Sequence, residues 1–417
     1  MMRVASRGGI DRQLVWAVLA LTTFGVLMVY SAGQTDVPSV ARGAWTRQLG
    51  WAAIGIVGAA IVFRMNFRIL EWAAPGLYAF SLLLLVLTLL VGTGAGSAAS
   101  SKSWLSIGGI RIGQPVELAK IATILLLARY LSSLRDPPTS LRQLVTPGLI
   151  AGVPFLLVMR QPDLGSAIVF VGILFAMLYW AGVAPRLLLL LASPAVSLLL
   201  AASPSWWVAW MLLLFLLLVL WRSYVAEGVL IYVVNSAMGV VAIVVWNRLK
   251  DYQRQRLITF LNPESDPIHA GYQAIQSKVA IGSGGLFGNG FLNGPQKRLA
   301  FLPEQYTDFI FAVVGEELGF AGVLVALALF LWLFFTLLRI ARRATDPFSS
   351  LVVFGVLGLF FTHLFENIGM TINVMPITGI PLPFFSYGGS FLLAASLSIG
   401  LALRVAWDSR LSGYADG

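Results

Sequence analysis

The stretch 301–341, FLPEQYTDFIFAVVGEELGFAGVLVALALFLWLFFTLLRIA, decides the fold class. It opens as a polar loop, carries the carboxylates Glu304, Asp308, Glu316 and Glu317, and passes into an apolar run at 318–341. At about 1.5 Å per helical residue such a run crosses the roughly 30 Å of bilayer hydrocarbon. It lacks period-2 alternation, and backbone groups in lipid must be satisfied within the segment, so it is read as a helix and not as a barrel strand. Comparable runs fall near 13–32, 46–63, 69–92, 115–132, 143–159, 164–183, 186–202, 205–221, 226–246, 350–373 and 388–407. The expectation is an all-α integral membrane protein, a single polytopic bundle of about twelve transmembrane helices over 1–417.

Composition agrees. Of 417 residues 58% are hydrophobic and 11% charged, against roughly 25% charged in soluble domains. There is no cysteine, which excludes disulfides, thiolate metal sites and a cysteine nucleophile. The two histidines, His269 and His363, lie too far apart in sequence to supply a local metal cluster. A net charge of +10 is dispersed at helix ends. That pattern fits topology signals and anionic lipid, not nucleic acid. Arg3, Arg7 and Arg12 precede a run long enough to span, so the first helix reads as uncleaved. With the N-terminus inside, Arg64 and Arg68, Arg135 and Arg142, Arg186, Arg222, Arg339 to Arg343, Arg404 and Arg410 all fall on inner segments. An even helix count returns the C-terminus to the cytoplasm.

Three segments then lie outside: 92–114, 247–308 and 374–389. The first is Gly/Ser-rich and holds Trp104, either an interfacial belt residue or a stacking platform for a sugar face. The second, about 60 residues, is long for a loop and therefore a candidate for function. It holds Arg254, Arg256, Lys278, Lys297 and Arg298, which contact either headgroups or an anionic ligand. Its run IGSGGLFGNGFLNG (281–294) is glycine-rich enough for amides to approach phosphate oxygens, although turns use such glycines equally well and no P-loop signature follows.

Charges at membrane depth cost several kcal/mol against lipid and so mark function or pairing. Glu117 and Lys120 in QPVELAK share one helix face at i,i+3: an internal ion pair, or a polar wall toward an anionic substrate. Asp163 in RQPDLGSA reads as a helix cap. A helix starting after Pro303 would put Asp308 in its first turns, where an acid either caps the helix or serves as an acid/base group. The apolar residues after it, and Glu304 at i−4, would raise its pKa. Glu316 and Glu317 lie deeper, and one of them must face protein or water.

QPVELAK, RQPDLGSA, DYQRQRLITFLNPESDPIHAGYQAIQSKVAIGSGGLFGNG, FLPEQYTDFIFAVVGEELGF and NIGMTINVMPITGIPLPFFSYGGS together resemble the SEDS family (shape, elongation, division and sporulation) from the first helix to the last. QRQRLITFLNPESDP, IQSKVAIGSGG and NIGMT favour its elongation branch over its division branch. The resemblance implies a peptidoglycan glycosyltransferase in the bacterial cytoplasmic membrane. Such an enzyme polymerises lipid II, an undecaprenyl-pyrophosphate-linked disaccharide peptide, on the outer face beside a class B penicillin-binding protein. The family's loop aspartate falls on Asp308, its outer-loop tryptophan on Trp104, and its helix-four pair on Glu117 and Lys120. Asp308 is then expected as the catalytic base, with Trp104, Arg111, Glu117, Lys120, Lys278 and Glu304 binding substrate. A divalent cation, Mg or Mn, would be an alternative partner for the pyrophosphate. The family usually has about ten helices, so a pair at 184–225 is expected to be inserted. Competing expectations are a lipid II flippase, a division-type polymerase, and a noncatalytic scaffold for the penicillin-binding protein.

Overall fold

The structure is a computed structural model that describes residues 9–94, 103–107, 110–221, 225–248, 254, 258, 260, 262–265 and 271–412. The chain runs through α1 (Arg12–Ala32), α2 (Ala44–Arg64), α3 (Phe67–Val91), the antiparallel hairpin β1 (Leu105–Ile107) and β2 (Ile110–Gly113), then α4 (Pro115–Ser132), α5 (Val145–Arg160) and α6 (Leu164–Trp180). It continues through α7 (Pro185–Leu200), α8 (Pro204–Leu220), α9 (Val225–Arg248), α10 (Tyr272–Gly284) and α11 (Pro295–Arg298). The last three helices are α12 (Ile310–Arg343), α13 (Pro347–Thr371) and α14 (Gly389–Ser412). All twelve apolar segments are helices, and α10 and α11 come from the long polar segment. Among the described residues eight helical spans are long and apolar enough to cross a membrane, α5 counting together with the short turn before it (Leu141–Arg160); α6, α7 and α8 are shorter apolar helices, and α4 has 18 residues. The chain is a multi-pass helical membrane protein.

Local chemistry sets the helix starts. Asp11, Asn66, Asp163 and Asp346 accept amide hydrogen bonds in the first turns of α1, α3, α6 and α13. Prolines open α4, α7, α8 and α13, where the missing N–H costs nothing. The bundle is built around α13, whose apolar window is 72% buried against 11% for α2. Helices α4, α6 and α12 pack on it. At one end Asp11 holds Arg339 at 2.8 Å and Arg410 at 2.7 Å, tying α1 to α12 and α14. These arginines, read from sequence as topology signals, are also structural.

The apolar run expected from 318 starts earlier, at Ile310, because residues 309–314 are buried by protein. The resulting helix is broken at Gly319 (φ 63°, ψ −160°). The break frees the carbonyls of Glu316 and Glu317 and the amides of Phe320 and Ala321. All four are re-satisfied by the glycine-rich run: Asn289 N and Gly290 N donate to Glu316 O (3.0 Å) and Glu317 O (2.9 Å), while Phe320 N and Ala321 N donate to Gly285 O (2.9 Å) and Leu286 O (3.0 Å). Residues 285–290 of the glycine-rich run thus serve the turn reading: they splice a helix break whose backbone groups need partners. Gly319→Ala places a side chain where only glycine is at ease, at a cost on the order of 1–3 kcal/mol. A lowered thermal midpoint in detergent is the expected result, and an unchanged midpoint would show that the break is dispensable.

Helices α7, α8 and α9 meet around Asn235, whose side chain donates to Ser193 Oγ and Ile231 O, both at 2.9 Å. Trp207 Nε1 donates to Ser197 Oγ (3.0 Å), which in turn donates to Asn235 O (2.8 Å). Interhelical hydrogen bonds of this kind contribute about 0.6 kcal/mol each in a bilayer. They join the three helices of the 184–246 region into one unit.

Candidate active site

Residues 303–309 form a turn and not the helix expected after Pro303. Glu304 adopts φ 53°, and its carbonyl accepts from Thr307 N (3.1 Å), Asp308 N (3.1 Å) and Phe309 N (3.2 Å). The helix begins two residues after Asp308, at Ile310, and no side chain caps it. The capping role is thereby removed, because the wrapped turn leaves the Asp308 carboxylate beside the helix entry instead of over its free amides. Thr307 Oγ1 donates to Glu304 Oε2 at 3.1 Å.

The 372–388 segment closes against this turn. Asn367 Nδ2 on α13 donates to Asp308 O at 2.8 Å and to Ile380 O at 2.6 Å. Tyr387 N donates to Tyr306 O (3.0 Å), and their rings lie 5.6 Å apart. Arg47 covers the Tyr387 ring at 5.4 Å. Gly379 (φ +74°) faces the carboxylate: a Cβ there would sit 3.2 Å from Asp308 Oδ2. Gly379→Ala should both strain the loop and crowd the acid, lowering turnover about tenfold or more through misplacement. Wild-type turnover in a folded variant would contradict that reading.

Asp308 is only half-exposed and densely surrounded by protein, and its pKa is raised to about 7. Desolvation is the main cause, and the Glu304 and Asp163 charges push the same way, against the Thr307 hydrogen bond. A carboxylate poised there exchanges a proton near neutral pH. Glu304 is exposed, one turn of chain away. Asp163 is the cap expected from sequence, accepting from Ser166 N at 3.0 Å, and it also receives Gln114 Nε2 at 3.5 Å.

Glu117 and Lys120 form an ion pair at 2.9 Å, with side chains 6% and 1% exposed. Lys120 is thus held by protein rather than presented to a ligand. Its Nζ also lies 3.1 Å from His363 Nε2, while His363 Nδ1 lies 3.0 Å from Pro381 O. Glu366, on the same helix, is buried with neither oxygen in hydrogen-bond geometry, although Thr378 lies beside it. Sequence reasoning assigned nothing to His363, Glu366 or Asn367. The available signals were three polar residues at helical spacing in an apolar helix and the place of Asn367 at the head of the NIGMT motif.

Of the loop cations, Lys297 is buried against Glu317 (2.7 Å) and Ser31 Oγ (3.1 Å), and Ser31 Oγ donates to Glu317 at 2.6 Å. The backbone amides of Gln296 and Lys297 donate to the Glu316 carboxylate at 2.6 and 3.2 Å. Both deep glutamates therefore face protein, and Lys297 contacts no headgroup. Arg298 pairs with Asp36 at 3.0 Å, and Arg254 donates to Trp246 O and Asn247 O. Lys278 is exposed on α10, which Ser277 anchors to Thr371 O at 2.7 Å. Trp104 is half-buried in a bridge to Thr93 before β1. Arg111 lies on β2 opposite Ser106; its side chain, with Arg256 and His269, is outside the described residues. Among the described residues no group of three or more His, Asp or Glu could hold a metal.

The FTSW_RODA_SPOVE family model, described as cell cycle protein, matches residues 12–208 and 195–411. The chain belongs to this family. Within the FTSW_RODA_SPOVE family it is 37% identical to the peptidoglycan glycosyltransferase RodA of Treponema pallidum, over 97% of this chain and 99% of that one. It is 36% identical to the peptidoglycan glycosyltransferase MrdB of Escherichia coli K12, over 95% and 93%. A chain solved under the description "Structural coordination of polymerization and crosslinking by a peptidoglycan synthase complex" superposes with a TM-score of 0.72 at 28% identity, over 96% of this chain and 98% of that chain. The family resemblance read from the motifs is thus established along the whole chain.

Proposed function

We propose that this chain is a RodA-like peptidoglycan glycosyltransferase that polymerises lipid II for cell elongation, with Asp308 as its general base. The observation that carries the role of Asp308 is a carboxylate raised to about 7 at a turn end, fixed through its backbone by Asn367. The deprotonated Asp308 takes the proton of the acceptor GlcNAc 4-hydroxyl. That oxygen attacks the anomeric carbon of the donor, the bond to the pyrophosphate oxygen breaks, and undecaprenyl pyrophosphate leaves with the electron pair. The anomeric carbon is inverted, and Asp308 releases its proton to water.

The pyrophosphate needs cations. Lys120 is occupied by Glu117 and His363, so we assign first contact to two other basic residues, Lys278 and Arg111, with Trp104 against a sugar face. Mg or Mn would arrive with the pyrophosphate and keep most of its waters, as Mg commonly does. Glu304 orders the turn and raises the Asp308 pKa. The arginine distribution and even helix count support an outward-facing site in the cytoplasmic membrane. The likeness to a chain of a peptidoglycan synthase complex supports a class B penicillin-binding protein as partner. Polymerisation of lipid II by the purified protein, with and without its partner and with and without chelator, tests the reading. Movement of labelled lipid II across liposomes without glycan formation would replace it with a flippase.

A further inference from the structure

Lys120 is a donor only, and Pro381 O is an acceptor only. His363 sits between them, Nε2 at 3.1 Å from Lys120 Nζ and Nδ1 at 3.0 Å from Pro381 O. Both contacts are hydrogen bonds in one protonation state alone: neutral imidazole with the proton on Nδ1 and the lone pair on Nε2. Two independent neighbours therefore impose the same tautomer. The ring is held flat by Phe391 of α14, stacked at 4.1 Å and 11°.

One helical turn along α13, Asn367 holds the preceding carbonyl of the same loop, Ile380 O at 2.6 Å, and the carbonyl of Asp308 at 2.8 Å. His363 and Asn367 thus grip consecutive carbonyls from one helix face. An unbroken chain of contacts runs from Glu117 through Lys120, His363 and the Ile380–Pro381 unit to Asn367 and Asp308.

We propose that His363 is a positioning residue for the polymerisation reaction: as a neutral Nδ1–H imidazole it couples the buried Glu117–Lys120 pair to the loop that seats Asp308. This rests on the reading that polymerisation runs at Asp308. His363 touches no substrate and acts by fixing where the loop and the acid sit.

Two measurements on the full-length protein test it. The chain has two histidines, so His269→Gln leaves a single imidazole for nitrogen NMR of histidine-labelled protein in micelles. The expected spectrum at pH 7 shows a protonated Nδ1 and an unprotonated Nε2. An Nε2–H tautomer or an imidazolium overturns the proposal. In the polymerisation assay, His363→Leu should lower kcat about 10- to 100-fold with KM within about twofold, as a misplaced group does. His363→Gln offers one acceptor to Lys120 and one donor to Pro381 O, and should recover kcat to within about threefold of wild type. A folded Leu variant at wild-type kcat, or a folded Gln variant as slow as Leu, overturns it. Should Leu fail to fold, the Gln variant and the spectrum decide. Wild-type protein that makes no polymer would instead sink the glycosyltransferase reading, and the spectrum would still judge the tautomer.

Discussion

Asp308→Asn is expected to cut lipid II polymerisation by about 10²–10⁴-fold, the usual contribution of a positioned base, while the protein folds as before. The asparagine keeps the size of the side chain and leaves the backbone carbonyl bonded to Asn367. Wild-type turnover should rise with pH through about 7 and level off above it, because the ionised carboxylate is the active form and its pKa lies there. The residual activity of the variant should lack that limb.

Stability supplies an independent sign. A carboxyl raised from 3.8 to about 7 on folding binds its proton more tightly in the native state. Its contribution to stability is therefore greatest below pH 4 and is lost as pH rises toward 7. Asp308→Asn removes that loss, so its thermal midpoint at pH 8 should equal or exceed wild type. Full polymerisation by the variant would refute the assignment, and a collapsed midpoint would mean that the carboxylate is structural.

Lys297→Met carries the second large effect. Lys297 and Glu317 have fully buried side chains 2.7 Å apart, with Ser31 bonded to both. Removing the cation leaves a carboxylate uncompensated, a loss of about 3–5 kcal/mol against a total stability of about 5–15 kcal/mol. The variant should express poorly or melt many degrees lower. Lys297→Met combined with Glu317→Gln should recover most of the loss, since the stranded charge is gone. Single and double variants with equal midpoints would show that the pair is not coupled. Because the pair lies beside the Gly319 break, its loss should also loosen the segment that leads to Asp308.

Much of this was legible in the sequence, for reasons that differ by residue. The twelve helices follow from hydrophobic length, a property of each segment by itself. Asp163 as a cap follows from local backbone chemistry, which needs no partner. The pairing of Glu117 with Lys120 follows from i,i+3 spacing. Asp308 was singled out by its position where a polar loop meets an apolar run, and then by the family motif. The helix proposed over 303–309 was wrong because Glu304 takes a left-handed conformation that local propensity gives no reason to expect. The glycine-rich run stayed open between a phosphate approach and a turn because the carbonyls it serves, those of Glu316 and Glu317, belong to another helix.

The sequence by itself determined a multi-pass helical membrane protein and its family, and it pointed to the carboxylate at the head of the 301–341 stretch as the candidate base. Those conclusions rest on length, composition and motif, which are one-dimensional. Only the tertiary structure decided that Lys120 is engaged by His363, that Lys297 is buried against Glu317, and that Asn367 joins Asp308 to Ile380. These contacts join residues between 13 and 243 positions apart in the chain. In a medium that cannot solvate charge, such partners are obligatory, but which partner each group finds depends on how the helices pack.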